Sequence, residues 1–349
     1  MAQTQRPDAV TPVFLLTGFL GSGKTSLIRR LMESPHLTDT ALVINEFGEV
    51  GLDQLFVQSA VENTLLLENG CVCCSIRGDL VDTITDLFAR AANGEIPAFS
   101  RVIVETTGLA DPQPIIAALQ TIRSSRPVVL GKVIVTVDGV LGAQQLGSAD
   151  EAVAQVVQAD VCLVTKAELS NPNAINALVG ELHALNPNAA VEVLRAGSFD
   201  PDLLLAPSGS RLAAPSTYRL APRRVRGSQV VRHRSVESWS EEIEEPIMWS
   251  RFRDWLDLLY SLRASHLLRM KAVLNLVGHR IPHAIHGVGP LVGALEPFGD
   301  WGDDTATSRI VVITKGMDAE IIRQSFRALV LPGRAQSERS ADHGGVGSS

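Results

Sequence analysis

Gly18-Phe-Leu-Gly-Ser-Gly-Lys-Thr25 sets three glycines ahead of a Lys-Thr pair. Glycines at this spacing let backbone N–H groups curl around phosphate oxygens, and a helix starting at the end of the stretch adds its positive pole. Gly18, Gly21, Ser22, Gly23, Lys24, Thr25 and Ser26 are therefore the candidate phosphate-loop residues. Lys24 would reach the β- and γ-phosphates, and the Thr25 hydroxyl would ligate Mg2+. A glycine-rich turn with an incidental lysine would read the same in isolation. Here a strand-like run, Val13–Thr17, precedes it and a helix-like run, Ser26–Met32, follows it, as a phosphate loop requires. Such a loop also needs an acidic residue at the end of a neighbouring strand to hold Mg2+ or its water. Val102-Ile-Val-Glu105-Thr-Thr-Gly108 supplies Glu105, and Gly108 stands where a backbone N–H can sense a γ-phosphate. Lys24, Glu105 and Gly108 are the candidate catalytic residues. Asn45-Glu46-Phe-Gly-Glu49-Val-Gly-Leu-Asp53 combines carboxylates with glycines. It suits a switch segment in which Glu46, Glu49 and Asp53 contact a metal or its water, although an ordinary polar loop has the same composition.

Cys71-Val-Cys73-Cys74 holds three of the four cysteines. In an extended segment Cys71 and Cys73 project to one side and Cys74 to the other, so two thiolates converge easily. Zinc takes about four ligands, which leaves this motif open and suited to transfer. Soft thiolates favour Zn2+ and Cu+ and tolerate Co2+. The competing reading is a set of small buried hydrophobes, as expected for Cys162. His279, His283 and His286 have the spacing of a helical face, interrupted by Pro282 and Gly287, and are secondary metal candidates. Guanine is commonly read by Asn-Lys-x-Asp after a late strand; the corresponding stretch here is Thr165-Lys166-Ala167-Glu168. Lys166 can stack its stem on a base, while Glu168 is one methylene longer than the usual aspartate.

These residues need a scaffold, and the flanking sequence describes one. From Pro12 to Val193, apolar runs at 13–17, 41–45, 64–67, 102–105, 132–137, 161–165 and 190–194 alternate with helical spacing at 25–32, 79–92, 113–121, 150–158 and 174–185. That alternation predicts an α/β domain with a mostly parallel sheet, over 12–206. Residues 207–228, rich in Pro, Gly, Ser and Arg, read as a linker. A smaller α+β domain is expected over 229–331, with a strand at 233–243, helices at 249–262 and 318–328, and apolar runs at 270–277 and 309–314. The Gly/Ser-rich 332–349 reads as a disordered tail. A formal charge of -7 argues against sequence-independent nucleic-acid binding. No apolar run approaches a membrane span, and no basic-then-apolar leader opens the chain, so no membrane partner and a cytoplasmic location are expected.

The combination resembles the CobW-type family of P-loop GTPase metallochaperones. The likeness runs through Gly18–Thr25, Asn45–Asp53, Glu68-Asn-Gly-Cys-Val-Cys-Cys74, Glu105-Thr-Thr-Gly-Leu-Ala-Asp-Pro112 and Val137-Asp138, and resumes at Leu268-Arg-Met-Lys271 and Thr307-Ser-Arg-Ile310. It implies a GTP-hydrolysing domain with Mg2+, whose Cys71, Cys73 and Cys74 carry a transition metal, zinc first and cobalt second. Delivery to a client metalloprotein under nucleotide control follows, and a nucleotide-dependent homodimer is the further assembly expected. Two other readings of the residues stand beside it. One is a P-loop kinase of a small molecule, with Arg223, Arg224 and Arg226 near the acceptor. The other is a metal-sensing interaction module with vestigial turnover.

Overall fold

The computed structural model describes residues 10–32, 39–44, 64–66, 72–75, 79–119, 121–122, 127–194, 228–233, 235–301 and 305–331. The Asn45–Asp53 loop, Cys71, residues 207–227 of the expected linker and the 332–349 tail lie outside the described residues. The chain divides into two compact units.

In the first unit the strands are β1 (Thr11–Gly18), β2 (Thr40–Ile44), β3 (Thr64–Leu66), β4 (Val72–Ser75), β5 (Arg101–Glu105), β6 (Val128–Asp138), β7 (Val161–Thr165) and β8 (Ala190–Val193). The helices are α1 (Lys24–Met32), α2 (Leu80–Ala92), α3 (Pro112–Leu119), α4 (Gly142–Ser148), α5 (Asp150–Gln158) and α6 (Pro172–Leu185). The strands form one sheet in the order β3-β4-β2-β5-β1-β6-β7-β8. β3 pairs antiparallel with β4, and every other pairing is parallel. Parallel strands need crossovers that place helices over both faces, which is why the strands are apolar at consecutive positions. Val13, Phe14, Leu15 and Leu16 of β1 are all fully buried. β1 lies between β5 and β6, where the strand order reverses, so its carboxyl end opens into the crevice that ligands use in such sheets.

The second unit is antiparallel. It contains β9 (Ser228–His233), β10 (Val236–Ile243), α7 (Trp249–Arg263), β11 (Leu267–Leu274), β12 (His283–Val288), β13 (Leu291–Val292), β14 (Glu296–Pro297), β15 (Ser308–Lys315) and α8 (Ala319–Val330). The order is β13-β12-β11-β15-β10-β9, with β14 on β12. Trp239, Met270 and Val312 sit in one cross-strand row. Against them pack Phe252 and Trp255 of α7 and Phe326 of α8. Trp255 Nε1 donates to Ser325 Oγ at 3.1 Å, which satisfies its one polar atom. Glu237 Oε2 accepts the Ala319 N–H at 3.0 Å, a carboxylate at the positive end of α8. Arg327 and the buried Glu241 pair at 3.0 Å.

The structure corrects the element assignments in three places. The single strand expected at 233–243 is the second half of a hairpin, with His233 opposite Val236. The alternating pattern continues through that turn without a Gly or Pro, so no break was visible. The segment 142–148 is helical although its glycines and Ser148 weaken helical propensity. The 283–297 region holds three strands, of which β13 and β14, two residues each, are too brief for a periodic signal. Among the described residues, no helix is long and apolar enough to cross a membrane.

Phe326 is fully buried, with ring centroids 5.0 Å from Trp255 and 5.1 Å from Trp239. Phe326→Ala is expected to lower the stability of the second unit by about 3–5 kcal/mol, read as an earlier tryptophan-fluorescence transition in urea.

Candidate functional site

Gly18 ends β1 with φ 146°, and a Cβ there would lie 2.2 Å from Thr136 Oγ1 and 2.5 Å from its carbonyl oxygen. Only glycine can bring the chain this close to β6 and turn it into the loop. The loop then reverses, with Ser22 N–H donating to Phe19 O at 3.1 Å, and α1 begins at Lys24. Lys24 is almost fully buried. Its Nζ donates to Gly18 O at 2.9 Å and Phe19 O at 3.4 Å, so the ammonium lies across the concave side of the loop. Gly21 and Ser26 are exposed, Gly23 and Thr25 half-buried, and Ser22 fully buried.

Hydroxyl groups at the ends of four successive strands support this loop from below. Thr136 Oγ1 donates to Thr17 O at 3.3 Å, so in the 2.6 Å hydrogen bond between Ser22 Oγ and Thr136 Oγ1 the serine is the donor. Thr165 Oγ1 donates to Ser22 O at 2.7 Å, and Thr106 Oγ1 to Thr17 Oγ1 at 2.7 Å. All five residues are buried, so each bond also removes the penalty of an unsatisfied polar group.

Glu105 is fully buried at the carboxyl end of β5, in register with Leu16 of β1 and Ile44 of β2. The Thr25 hydroxyl and the Glu105 carboxylate are hard oxygen donors, a chemistry that fits Mg2+. Gly108 follows after two threonines. A Cβ there would lie 2.6 Å from Leu20 Cδ2 and 2.9 Å from Leu20 N, so the segment after β5 presses directly on the phosphate loop.

Lys166 adopts the left-handed conformation at φ 54° and ψ 25°, uncommon for a side chain of this type. Its Nζ donates to Gly21 O at 2.7 Å and pairs with Asp138 Oδ2 at 2.6 Å. Asp138, at the end of β6, is nearly inaccessible, and its Oδ1 accepts the N–H groups of Val140 at 2.8 Å and Leu141 at 3.0 Å. Burial alone would raise the Asp138 carboxyl. The Lys166 hydrogen bond, the Leu141 and Val140 N–H groups and the Lys166 charge outweigh it and hold the carboxyl below its ordinary 3.8. Lys166 thereby links the phosphate loop to the turn after β6. Glu168 is exposed in the 3-10 turn Ala167–Leu169 that follows.

Cys73 and Cys74 belong to β4, opposite Leu42 and Val43 of β2; their side chains, like Cys71 and Glu46 as a whole, lie outside the described residues. Among the described residues no three His, Cys, Asp or Glu side chains gather around a common point. The helical-face reading of the histidines is overturned. His283 and His286 lie on β12, three residues apart and so on opposite faces, the first buried and the second exposed. His279 meets His283 edge-to-face at 4.5 Å. His283 Nδ1 bonds to Ile281 O at 3.1 Å and so carries the proton. Asp138 and the strand-end threonines are the contributors that sequence reasoning left without a role. The signal available for Asp138 was an acidic residue closing the apolar run Val133–Val137.

A glycine-lined loop between β1 and α1, an acidic β5 terminus and a lysine after β7 that bonds the loop define a P-loop nucleotide-binding domain. The profile of the CobW/HypB/UreG nucleotide-binding domain matches residues 12–192, and that of the cobalamin synthesis protein cobW C-terminal domain matches 236–330. The chain belongs to the CobW family. It is 32% identical to the zinc chaperone YjiA of Escherichia coli K12 over 333 residues, covering 93% of this chain and 99% of YjiA. The crystal structure of the Zn(II)-bound YjiA GTPase superposes with a TM-score of 0.72 at 30% identity, over 91% of this chain and 98% of that one. The zinc-regulated GTPase metalloprotein activator 1 of Schizosaccharomyces pombe is 26% identical over 197 residues, 54% of this chain and 47% of the relative.

Asp138→Asn preserves shape and removes the charge that anchors Lys166. Nucleotide affinity is expected to fall about ten-fold in a fluorescent-nucleotide titration, as for loss of one charge-assisted hydrogen bond. Because the folded carboxyl titrates below 3.8, its stabilising effect is complete above that value and lost only as the pH falls through the lower folded value. The wild-type affinity should therefore show no pH dependence from this group between about pH 5 and pH 8.

Proposed function

We propose that this chain is a GTP-hydrolysing metallochaperone that carries zinc on Cys71, Cys73 and Cys74 and passes it to a client metalloprotein under nucleotide control. The observation that supports the reading most is one cross-strand row. Leu15, Val104, Val43 and Cys74 are successive partners on β1, β5, β2 and β4. Three inter-strand steps of about 4.8 Å put β4 roughly 14 Å from β1. The two strands between them, β5 and β2, lead into Glu105–Gly108 and Asn45–Asp53 respectively. The segments suited to respond to a γ-phosphate thus leave the strands that separate the phosphate loop from the cysteine motif.

In this reading Gly18–Ser26 wraps the phosphates, and the Lys24 ammonium turns from its loop carbonyls to the β- and γ-phosphate oxygens. Water attacks the γ-phosphorus, the bond to the bridging oxygen breaks, and GDP and phosphate leave. The Thr25 hydroxyl and the Glu105 and Glu46 carboxylates would hold Mg2+, which when bound would neutralise charge on the phosphate oxygens. The Gly108 N–H meets the γ-phosphate and loses that partner on hydrolysis. Lys166 and Glu168 face the base. The relatives named zinc chaperones support zinc as cargo, with Co2+ second on thiolate chemistry. A homodimer formed in the triphosphate state is part of the proposal.

Zinc affinity should be at least ten-fold higher with Mg2+ and a non-hydrolysable GTP analogue than with GDP in a competition titration against a chromophoric chelator, and Cys73→Ser should abolish the difference. Equal affinity in both nucleotide states for wild type and variant would remove the coupling. Phosphate released to water alone separates this reading from a small-molecule kinase.

A further inference from the structure

Gln155 is a polar side chain in the core of α5, 1% exposed among the buried Ala152, Val153, Val156 and Val157. Its Nε2 donates to Gly108 O and to Ala110 O, both at 3.1 Å. We propose that Gln155 is the positioning residue for the Gly108 turn, setting the orientation in which that turn meets the γ-phosphate; this rests on the nucleotide-hydrolase reading above.

One carboxamide uses both of its hydrogens on two carbonyls of one turn. Rotating the amide would set Oε1 against both carbonyl oxygens, so the donor end is locked toward the turn. The acceptor end gains nothing, since Oε1 is buried without a hydrogen-bond partner among the described residues. A position serving packing alone would be occupied at less cost by an apolar side chain. Gln155 therefore gives up stability at one end to hold the turn at the other.

What it holds is pinned on a second side as well. A Cβ on Gly108 would lie 2.9 Å from Leu20 N, so the turn is clasped between the phosphate loop and Gln155. Ala110 N–H closes the turn onto Thr107 O at 3.1 Å, and Asp111 Oδ1 accepts Gln113 N–H at 2.9 Å where α3 begins. The Gln155 bonds fix the carbonyl side of the turn and leave the Gly108 N–H out of both. A shift of Leu20 on phosphate binding is thus met by a turn whose carbonyl groups are tied to a rigid helix. Gln155 touches neither nucleotide nor metal and acts through Gly108.

The test uses the full chain with Gln155→Leu and Gln155→Glu, measuring GDP affinity, affinity for a non-hydrolysable GTP analogue with Mg2+, kcat for GTP and its pH dependence. Gln155→Leu should leave GDP affinity within about two-fold while the analogue-to-GDP affinity ratio and kcat each fall about ten-fold, as for loss of interactions made only in the triphosphate state. Gln155→Glu should be as impaired at pH 8 and recover part of its kcat toward pH 5.5, because a protonated carboxyl regains one donor and burial favours that form. Recovery of kcat and of the analogue-to-GDP ratio with GDP affinity unchanged between the two pH values separates this from a structural role, and keeps the test available if Gln155→Leu folds poorly. Parallel loss of GDP and analogue affinity, or an unchanged ratio and kcat, would overturn the proposal. If the wild type discriminates the analogue from GDP but releases no phosphate, the hydrolase reading fails and the affinity ratio still decides the role of Gln155.

Discussion

The close approach of the phosphate loop to the strand ends beneath it is the constraint on which the rest of the first unit depends. Gly18 brings the loop into contact with Thr136, and the hydroxyls of Thr136 on β6 and Thr165 on β7 hold Ser22, with the Thr17 carbonyl of β1 accepting from Thr136. The backbone donors of such a loop must stay turned toward the ligand, so its own carbonyls have to be satisfied from underneath. Side-chain hydroxyls do this without adding bulk. Lys166, through Gly21 O and Asp138, extends the same support to the turn after β6.

A second consequence concerns communication. The turn at Gly108 has no room for a side chain against Leu20, and the helix below it ties two of its carbonyls. Interfaces packed this closely pass on small displacements instead of absorbing them. β5 and β2 then lie between the loop and β4, whose Cys73 and Cys74 continue the same sheet. In the proposed function a nucleotide switch and a thiolate motif share this sheet, so that ion affinity would follow phosphate state.

How far the sequence revealed this depends on whether a feature is local. Gly18–Thr25 was legible because phosphate geometry dictates its spacing, and the parallel sheet was legible from apolar runs buried on both faces. The Asp138–Lys166 pair was not, since the two residues are 28 positions apart and meet only because β6 and β7 are neighbours. Gln155 likewise reads as an unremarkable polar residue of a helix until the Gly108 turn is placed against it. In the second unit, His279, His283 and His286 satisfied helical spacing by arithmetic alone. Pairing of β12 with β11 decided the matter and turned His283 and His286 to opposite faces.

In the proposed function, hydrolysis and metal release are one event. Protein loaded with Zn2+, Mg2+ and GTP, mixed with a chromophoric zinc chelator and a phosphate sensor in a single-turnover experiment, tests it most directly. Coupling predicts that zinc and phosphate appear with the same rate constant, and that zinc stays bound when a non-hydrolysable analogue replaces GTP. Zinc leaving at one rate whether or not phosphate is formed would contradict it.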